Sequence, residues 1–157
     1  MNTTMNTNTG AGIILTRTDA ASAEPRYFLL CGKASGIWSF SKGHGEVCDG
    51  GCPLRTAVRE TQEETGLVAG ADYTLLLNDS QRFGKRPYWI GVIKPQAQQR
   101  MRLSAREHMI GGWFTLEEIG RLKANVDVRA WYKKASNPNS NFRVRIERVT
   151  SLSASTK

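Results

Sequence analysis

Three glutamates in one predicted helix are the side chains of this sequence best suited to chemistry. Glu60, Glu63 and Glu64 stand at positions i, i+3 and i+4. On a helix this spacing places the three carboxylates on one face, where their like charges repel. A hard divalent cation such as Mg²⁺ relieves that repulsion through oxygen ligands. The spacing alone fits equally well a solvated acidic face with Arg59 as its counter-ion.

The helix that carries these glutamates has clear start and stop signals. Pro53 is a favoured first-turn residue and Gly66 a favoured C-cap residue, so we predict a helix over 53–65. Its apolar stripe consists of residues 54, 57, 58 and 61 and should face a sheet. The carboxylates should then point away from that stripe.

The remaining elements must hold this helix in place. Apolar and alternating runs predict strands at 11–17, 26–31, 37–40, 73–78, 88–94 and near 113–114, and two further helices at 116–122 and 126–134. Loops are predicted at 18–25, at the glycine-rich stretch 41–52 and at the basic turn 81–87. Strands interrupted by unequal helices, without a regular βαβ rhythm, predict an α+β fold.

Length and charge limit the classes of protein to consider. The chain has 157 residues and a formal net charge of +8, which fits one domain and favours anionic partners such as polyphosphates or RNA. We expect a disordered arm at 1–9, a domain at 10–134, and a basic tail at 135–157 that adds an edge strand or hangs free. No apolar run is long enough to cross a bilayer, so we expect a cytoplasmic protein without membrane association. Cys31, Cys48 and Cys52 are an odd number and are expected to be free thiols.

The segment 59–67 resembles the second half of the Nudix hydrolase signature, G-x5-E-x7-R-E-U-x-E-E-x-G-U, where U is apolar. Every fixed position is present, and Thr61 replaces one apolar residue. The first half departs, because Asp49 stands where the family has glutamate and nine residues rather than seven separate it from Arg59. We prefer this alignment, with a two-residue insertion at 50–53, to a strict count that would put Gly51 at the glutamate position.

Two further segments extend the resemblance. Residues 38–44 are similar to the family's W-x-F/L-P-K-G-H segment, with Ser41 in place of proline. Residues 103–118 resemble the S-x-E-H and W-x-x-x-E-E stretch of Nudix enzymes that hydrolyse diadenosine tetraphosphate. The resemblance implies an α/β/α sandwich with a mixed β-sheet between helices.

The same resemblance implies roles for individual residues. It suggests Mg²⁺, or alternatively Mn²⁺, as cofactor, and its implied metal ligands are Glu60, Glu63, Glu64, the carbonyl of Gly43, and Glu46. Arg59 would orient the Asp49 carboxylate. The candidates for general base are Glu64, Glu60 and Glu107, the last on a loop that must fold back over the metal.

Phosphate and base recognition would fall to cationic and aromatic side chains. The candidates for phosphates are Lys42, His44, Arg82, Lys85 and Arg86. The candidates for stacking on a base are Tyr88, Trp89, Trp38 and Phe83, and at most one of Tyr88 and Trp89 can face the cleft because strand alternation puts them on opposite faces. The expected activity is hydrolysis of a phosphoanhydride in a dinucleoside polyphosphate or a nucleoside triphosphate, by a monomer or homodimer. The alternatives are RNA 5′ caps, inositol pyrophosphates, and a non-catalytic module that binds a nucleotide or RNA.

Overall fold

The computed structural model describes residues 10–140, apart from residues 20 and 108 and the side chain at position 79. The predicted arm at 1–9 and residues 141–157 of the predicted tail lie outside the described residues. The strands are β1 (Ala11–Asp19), β2 (Ser22–Gly32), β3 (Trp38–Ser39), β4 (Ser41–Gly43), β5 (Tyr73–Phe83), β6 (Arg86–Ile93) and β7 (Met109–Thr115). The helices are α1 (Pro53–Thr65), α2 (Leu116–Ile119) and α3 (Val126–Ala135), with 3-10 turns at Val47–Asp49 and Pro95–Arg100.

One mixed sheet forms the centre of the molecule. Its strands run in the order β3-β2-β1-β6-β5, with β4 paired to β1 and β7 paired to β2. The β1–β6 pair is parallel, whereas β1–β2, β1–β4, β2–β3, β2–β7 and β5–β6 are antiparallel. The predicted mixed sheet of an α+β fold is therefore confirmed.

The two faces of the sheet bury two separate cores. Ile13 and Leu15 of β1 belong to the core that includes Ala57 of α1. The intervening Ile14 belongs to the opposite core, which includes Trp131 of α3. Because successive side chains of a strand point to opposite faces, β1 supplies both layers. The result is an α/β/α sandwich, in agreement with the resemblance.

Several element boundaries differ from the predictions. Strands β1 and β2 continue through most of the predicted loop 18–25, where Thr18 pairs with Pro25 and Asp19 with Ser22. Strands β5 and β6 also cross the predicted turn 81–87, and the chain reverses at Gly84, whose φ is 61°. Polar residues extend these antiparallel ladders because one face of such a ladder can meet water. No helix among the described residues is long and apolar enough to cross a membrane.

Candidate active site

Glu64 is buried where α1 meets β4. Its residue is only 4% exposed, and its Oε1 accepts hydrogen bonds from Ser41 Oγ at 3.0 Å and from the Lys42 backbone N–H at 2.9 Å. Burial raises the pKa of Glu64 to about 7, and the two hydrogen bonds oppose that rise. The three glutamates therefore do not share a solvated face, because β4 covers the side of the helix on which Glu64 lies. A carboxyl group with a pKa near neutrality can exchange a proton at working pH.

Glu60 packs against the backbone at Gly43. A Cβ added at Gly43 would lie 2.0 Å from the carboxyl carbon of Glu60. The side chain of Glu60 is only 14% exposed, and burial raises its pKa while the hydrogen bond from Arg59 lowers it. This position therefore requires glycine so that the carboxylate can approach the strand.

Arg59 joins the acidic helix to the loop that follows β4. Its Nε and Nη2 donate to the two carboxylate oxygens of Asp49 at 3.0 and 2.9 Å, a bidentate pair. These hydrogen bonds hold the pKa of Asp49 well below its usual range and raise the pKa of Arg59. Nη2 also donates to the His44 carbonyl at 2.9 Å. The geometry agrees with the alignment that places Asp49, rather than Gly51, opposite Arg59.

The remaining nitrogen of the guanidinium lies among the other carboxylates. Nη1 of Arg59 donates to Glu60 Oε1 at 3.0 Å and to both oxygens of Glu63 at 3.1 and 3.2 Å. Glu46 is more distant, with its carboxylate 3.6 Å from Nη1. The guanidinium of Arg59 thus contacts two glutamates of α1 and also Asp49 in the loop before the helix.

Two buried hydroxyl groups at this site escaped the sequence analysis. Thr56 Oγ1 donates to Asp49 Oδ2 at 2.9 Å, and Ser41 Oγ donates to Glu64. The only sequence signal for Thr56 is its position three residues before Arg59, which places both on neighbouring parts of the helix face. Nothing in the local sequence links Ser41 to Glu64, because the contact depends on how β4 packs on α1.

The segment before β7 is fixed to the end of α1. The backbone N–H groups of Arg102 and Ser104 donate to the carbonyls of Thr65 and Glu64 at 2.8 and 3.0 Å. Burial is the main reason that the pKa values of Glu60 and Glu64 are raised, and the negative charge of Glu107 raises both of them further. Glu107 therefore lies within electrostatic range of the glutamates on α1.

The predicted phosphate-binding residues lie at three places in the fold. Lys42 and His44 belong to the segment that supplies backbone contacts to Glu64 and Arg59. Arg82 and Lys85 lie at the tip of the β5–β6 hairpin, where Arg82 Nη1 donates to the Lys85 carbonyl at 3.0 Å. Arg86 is the first residue of β6 and contacts Asp127 of α3.

Arg86 is held by a buried carboxylate of α3. Its Nη1 contacts Asp127 Oδ2 at 3.2 Å, and Asp127 also accepts a hydrogen bond from the Tyr88 hydroxyl at 2.5 Å. A Cβ at Gly10 would lie 3.1 Å from Arg86 Nε and 2.6 Å from the Gly43 carbonyl oxygen. The guanidinium therefore lies close to the strand end that borders Glu60.

The expectation that Tyr88 stacks on a base is wrong. Tyr88 is 1% exposed and lies in the core beside Phe40 and Phe83. Its hydroxyl is occupied by Asp127, and burial is the main reason that the pKa of Tyr88 is raised. Strand alternation directs this ring into the α3 layer, while Trp89 packs in the α1 layer.

The donor atoms at this site suit a hard divalent cation. Carboxylates of Glu60, Glu63 and Glu64 and the nearby Gly43 carbonyl offer oxygen only, the donor type that Mg²⁺ and Mn²⁺ prefer. Among the residues that the structure describes, no three His, Cys, Asp or Glu side chains converge at metal-binding distance. Arg59 Nη1 donates to Glu60 Oε1 and to both oxygens of Glu63, and each carboxylate keeps further lone pairs with which it can ligate a cation.

Comparison of the sequence with known proteins gives a consistent family. Residues 6–135 match the NUDIX domain family. The chain is 35% identical over 113 residues to the bis(5′-nucleosyl)-tetraphosphatase [asymmetrical] of Sus scrofa, covering 66% of this chain and 74% of that protein. The enzyme of the same name from Rattus norvegicus is 35% identical over 112 residues, with the same coverage.

Solved structures share the fold at lower identity. A binary complex of the C. elegans Ap4A hydrolase superposes with a TM-score of 0.67 at 22% identity, covering 87% of this chain and 98% of that chain. The NUDIX domain of Shewanella oneidensis NrtR, complexed with ADP ribose, gives a TM-score of 0.62 at 12% identity, covering 89% and 88%. The family match, together with the acidic helix, identifies the chain as a member of the NUDIX family, a Nudix hydrolase of the kind that acts on phosphorus-containing acid anhydrides and generally needs a divalent metal ion.

Proposed function

We propose that this protein hydrolyses dinucleoside polyphosphates, with diadenosine tetraphosphate first among them. The observation that carries the proposal is the acidic helix α1, in which Glu60, Glu63 and Glu64 are grouped by Arg59 and β4. The relatives from pig and rat, which carry the name of an asymmetrical tetraphosphatase at 35% identity, support this substrate class. By that name, we expect two unequal nucleotide products.

Mg²⁺ is the proposed cofactor, with Mn²⁺ as the alternative. Glu60, Glu63 and Glu64 would hold it, with the Gly43 carbonyl and Glu46 as further ligands. When bound, such a cation orients water and offsets the charge that builds on the phosphate oxygens. The oxygen-only donor set supports this assignment.

Hydrolysis needs a general base, and the glutamates of this site are the candidates. A carboxylate takes a proton from water as the water oxygen bonds to phosphorus, and the bridging oxygen leaves with its electron pair. Glu64 is the foremost candidate for this base because its pKa is raised to about 7. Glu60 and Glu107 are the alternatives, and Arg59 would keep the carboxylates in place.

The phosphates of the substrate would meet cationic side chains around this centre. Arg86 has the strongest structural support, because Asp127 fixes it next to the Gly43 carbonyl. Lys42 and His44 border the same strand end, and Arg82 and Lys85 would reach more distant phosphates from the hairpin tip. An arginine fork can bind two phosphate oxygens at once.

Product analysis by chromatography tests the proposal. Diadenosine tetraphosphate, a nucleoside triphosphate, a capped RNA and an inositol pyrophosphate are incubated with Mg²⁺ or with chelator. We expect metal-dependent cleavage of diadenosine tetraphosphate into unequal products, with the highest kcat/KM of the four. Glu60→Gln and Glu64→Gln should lower kcat by at least about 100-fold, within the range for loss of a proton-transfer group.

A matched control uses a glutamate remote from the site. Glu117 of α2 is exposed and pairs with Arg121 at 2.6 Å. Glu117→Gln should retain the activity of the original protein. Preference for another of the four compounds would overturn the substrate assignment. Absence of metal-dependent cleavage of all four would overturn the proposed hydrolysis.

A further inference from the structure

Thr56 is a fully buried threonine whose hydroxyl is directed at the carboxylate that clamps Arg59. The residue is 0% exposed, and its Oγ1 lies 2.9 Å from Asp49 Oδ2. The same oxygen of Asp49 accepts from the Glu46 backbone N–H at 2.9 Å and from Arg59 Nη2 at 2.9 Å. Asp49 is itself only 3% exposed, so water cannot readily replace a lost donor.

The loop between Asp49 and α1 is shaped for the short aspartate side chain. Asp49 ends a 3-10 turn, and Gly50 and Gly51 follow with φ values of 60° and 73°. Residues with a Cβ rarely adopt this left-handed conformation. The two extra residues therefore allow the turn to bring the Asp49 carboxylate between Thr56 and Arg59.

Three features therefore occur together: aspartate in place of glutamate at position 49, the two-residue insertion that follows it, and the buried hydroxyl of Thr56. We propose that Thr56 is a positioning residue for the metal-binding carboxylates, acting through Asp49 and Arg59. Its hydroxyl fixes the Asp49 carboxylate, Asp49 fixes the guanidinium, and Nη1 of that guanidinium sets Glu60 and Glu63. The inference rests on the proposed function only in assigning the metal to these glutamates.

Thr56→Val tests this chain of contacts because it removes the hydroxyl and keeps the shape of the side chain. Thr56→Ser restores a hydroxyl at the same place. Thr65→Val is the matched control: Thr65 is another fully buried threonine of α1, and its Oγ1 donates to the Thr61 carbonyl at 2.6 Å. Both valine variants lose a buried hydrogen bond, but only Thr56→Val loses the contact with the Asp49 carboxylate.

The first measurement is Mn²⁺ affinity by electron paramagnetic resonance, without substrate. For Thr56→Val we expect a dissociation constant raised about fivefold to tenfold, as loss of a hydrogen bond to a charged group can produce. Thr56→Ser should stay within about twofold of the original protein, as should Thr65→Val, although thermal unfolding should show both valine variants to be less stable. Steady-state kinetics should show a lower kcat for Thr56→Val with KM for the nucleotide unchanged.

A double-mutant cycle separates action through Asp49 from a general packing effect. In the Asp49→Asn background, Thr56→Val should weaken Mn²⁺ binding by less than about twofold, because the carboxylate through which Thr56 acts on Arg59 is already removed. Equal effects of Thr56→Val in both backgrounds would overturn the proposal, as would equal effects of Thr56→Val and Thr65→Val on Mn²⁺ affinity.

Asp49→Glu provides a second, independent test of the proposal. Glutamate is the residue of the family signature, yet here its extra methylene must enter a closed space between Thr56 and the Glu46 N–H. We expect weaker Mn²⁺ binding than in the original protein, and equal or tighter binding would overturn the inference. These binding measurements need no substrate, so they stand even where the protein fails to cleave dinucleoside polyphosphates, a result that would overturn only the proposed function.

Discussion

Glu64 illustrates how a single carboxyl group in this enzyme is prepared for a second partner. It is buried against β4, and its two donors, Ser41 Oγ and the Lys42 N–H, both bind the same oxygen, Oε1. Burial without a full countercharge raises its pKa to about 7. A divalent cation would offset this cost, because its charge favours the ionised form.

Stability of the metal-free protein should depend on pH through Glu64. Glutamate has a pKa of about 4.3 in an unfolded chain, so the folded state holds its proton more tightly. The resulting stability is present below about pH 4 and is lost as pH rises through about 7. Between pH 5 and pH 8 the free energy of unfolding should fall by about 2–3 kcal/mol from this group.

Urea unfolding in chelator at several pH values checks this prediction. Glu64→Gln should remove most of the fall between pH 5 and pH 8, whereas Glu117→Gln on exposed α2 should preserve it. Adding Mg²⁺ to the original protein should restore stability at pH 8. An unchanged pH dependence in Glu64→Gln would show that Glu64 is not the group responsible.

At the scale of elements, local signals located the acidic helix and non-local packing determined its chemistry. The bounds predicted for α1 agree with the structure because Pro53 and Gly66 act within one turn of the chain. The burial of Glu64 could not be predicted, because β4 reaches the helix only through its pairing with β1. The bidentate contact between Asp49 and Arg59 was anticipated from the family resemblance, whereas the contribution of Thr56 emerged only from the structure.

The closeness of β4 to α1 leads to a prediction for Gly43→Ala. The new methyl group would lie 2.0–2.3 Å from atoms of the Glu60 carboxyl group, the flexible end of a long side chain. The side chain can move aside at a small cost in stability, but the carboxylate then leaves its place beside the strand. We expect at least about a tenfold loss of kcat, in line with the sensitivity of catalysis to displacements of about 1 Å.

Kinetics together with thermal unfolding distinguish displacement of Glu60 from simple destabilisation. Gly32→Ala at the end of β2 is the control, because its added Cβ would meet only the Ser35 hydroxyl at 3.2 Å. This variant should retain its activity. Full activity in Gly43→Ala would show that the position of Glu60 beside β4 is not required.

At the scale of the whole molecule, both helical layers contribute to the proposed site. Helix α1 supplies the carboxylates from one face of the sheet, and α3 supplies Asp127 from the other. Asp127 reaches Arg86 at the start of β6, a strand that pairs in parallel with β1. The central strands thus bring a cation fixed from one layer near carboxylates fixed from the other, and the formal charge of +8 favours an anionic substrate between them.

Two variants of the α3 contact separate its role in substrate binding from its role in stability. Asp127→Asn removes the charge that holds Arg86, and Tyr88→Phe removes a hydroxyl from the same carboxylate without touching Arg86. If Arg86 binds phosphate, Asp127→Asn should raise KM for diadenosine tetraphosphate about threefold to tenfold and leave kcat nearly unchanged, as expected for lost uniform binding. Tyr88→Phe should lower the free energy of unfolding by about 1–2 kcal/mol, because a buried hydrogen bond is lost, with KM unaltered. If the two variants change KM equally, Asp127 contributes only to the packing of the core. That result would overturn the proposed phosphate-binding role of Arg86.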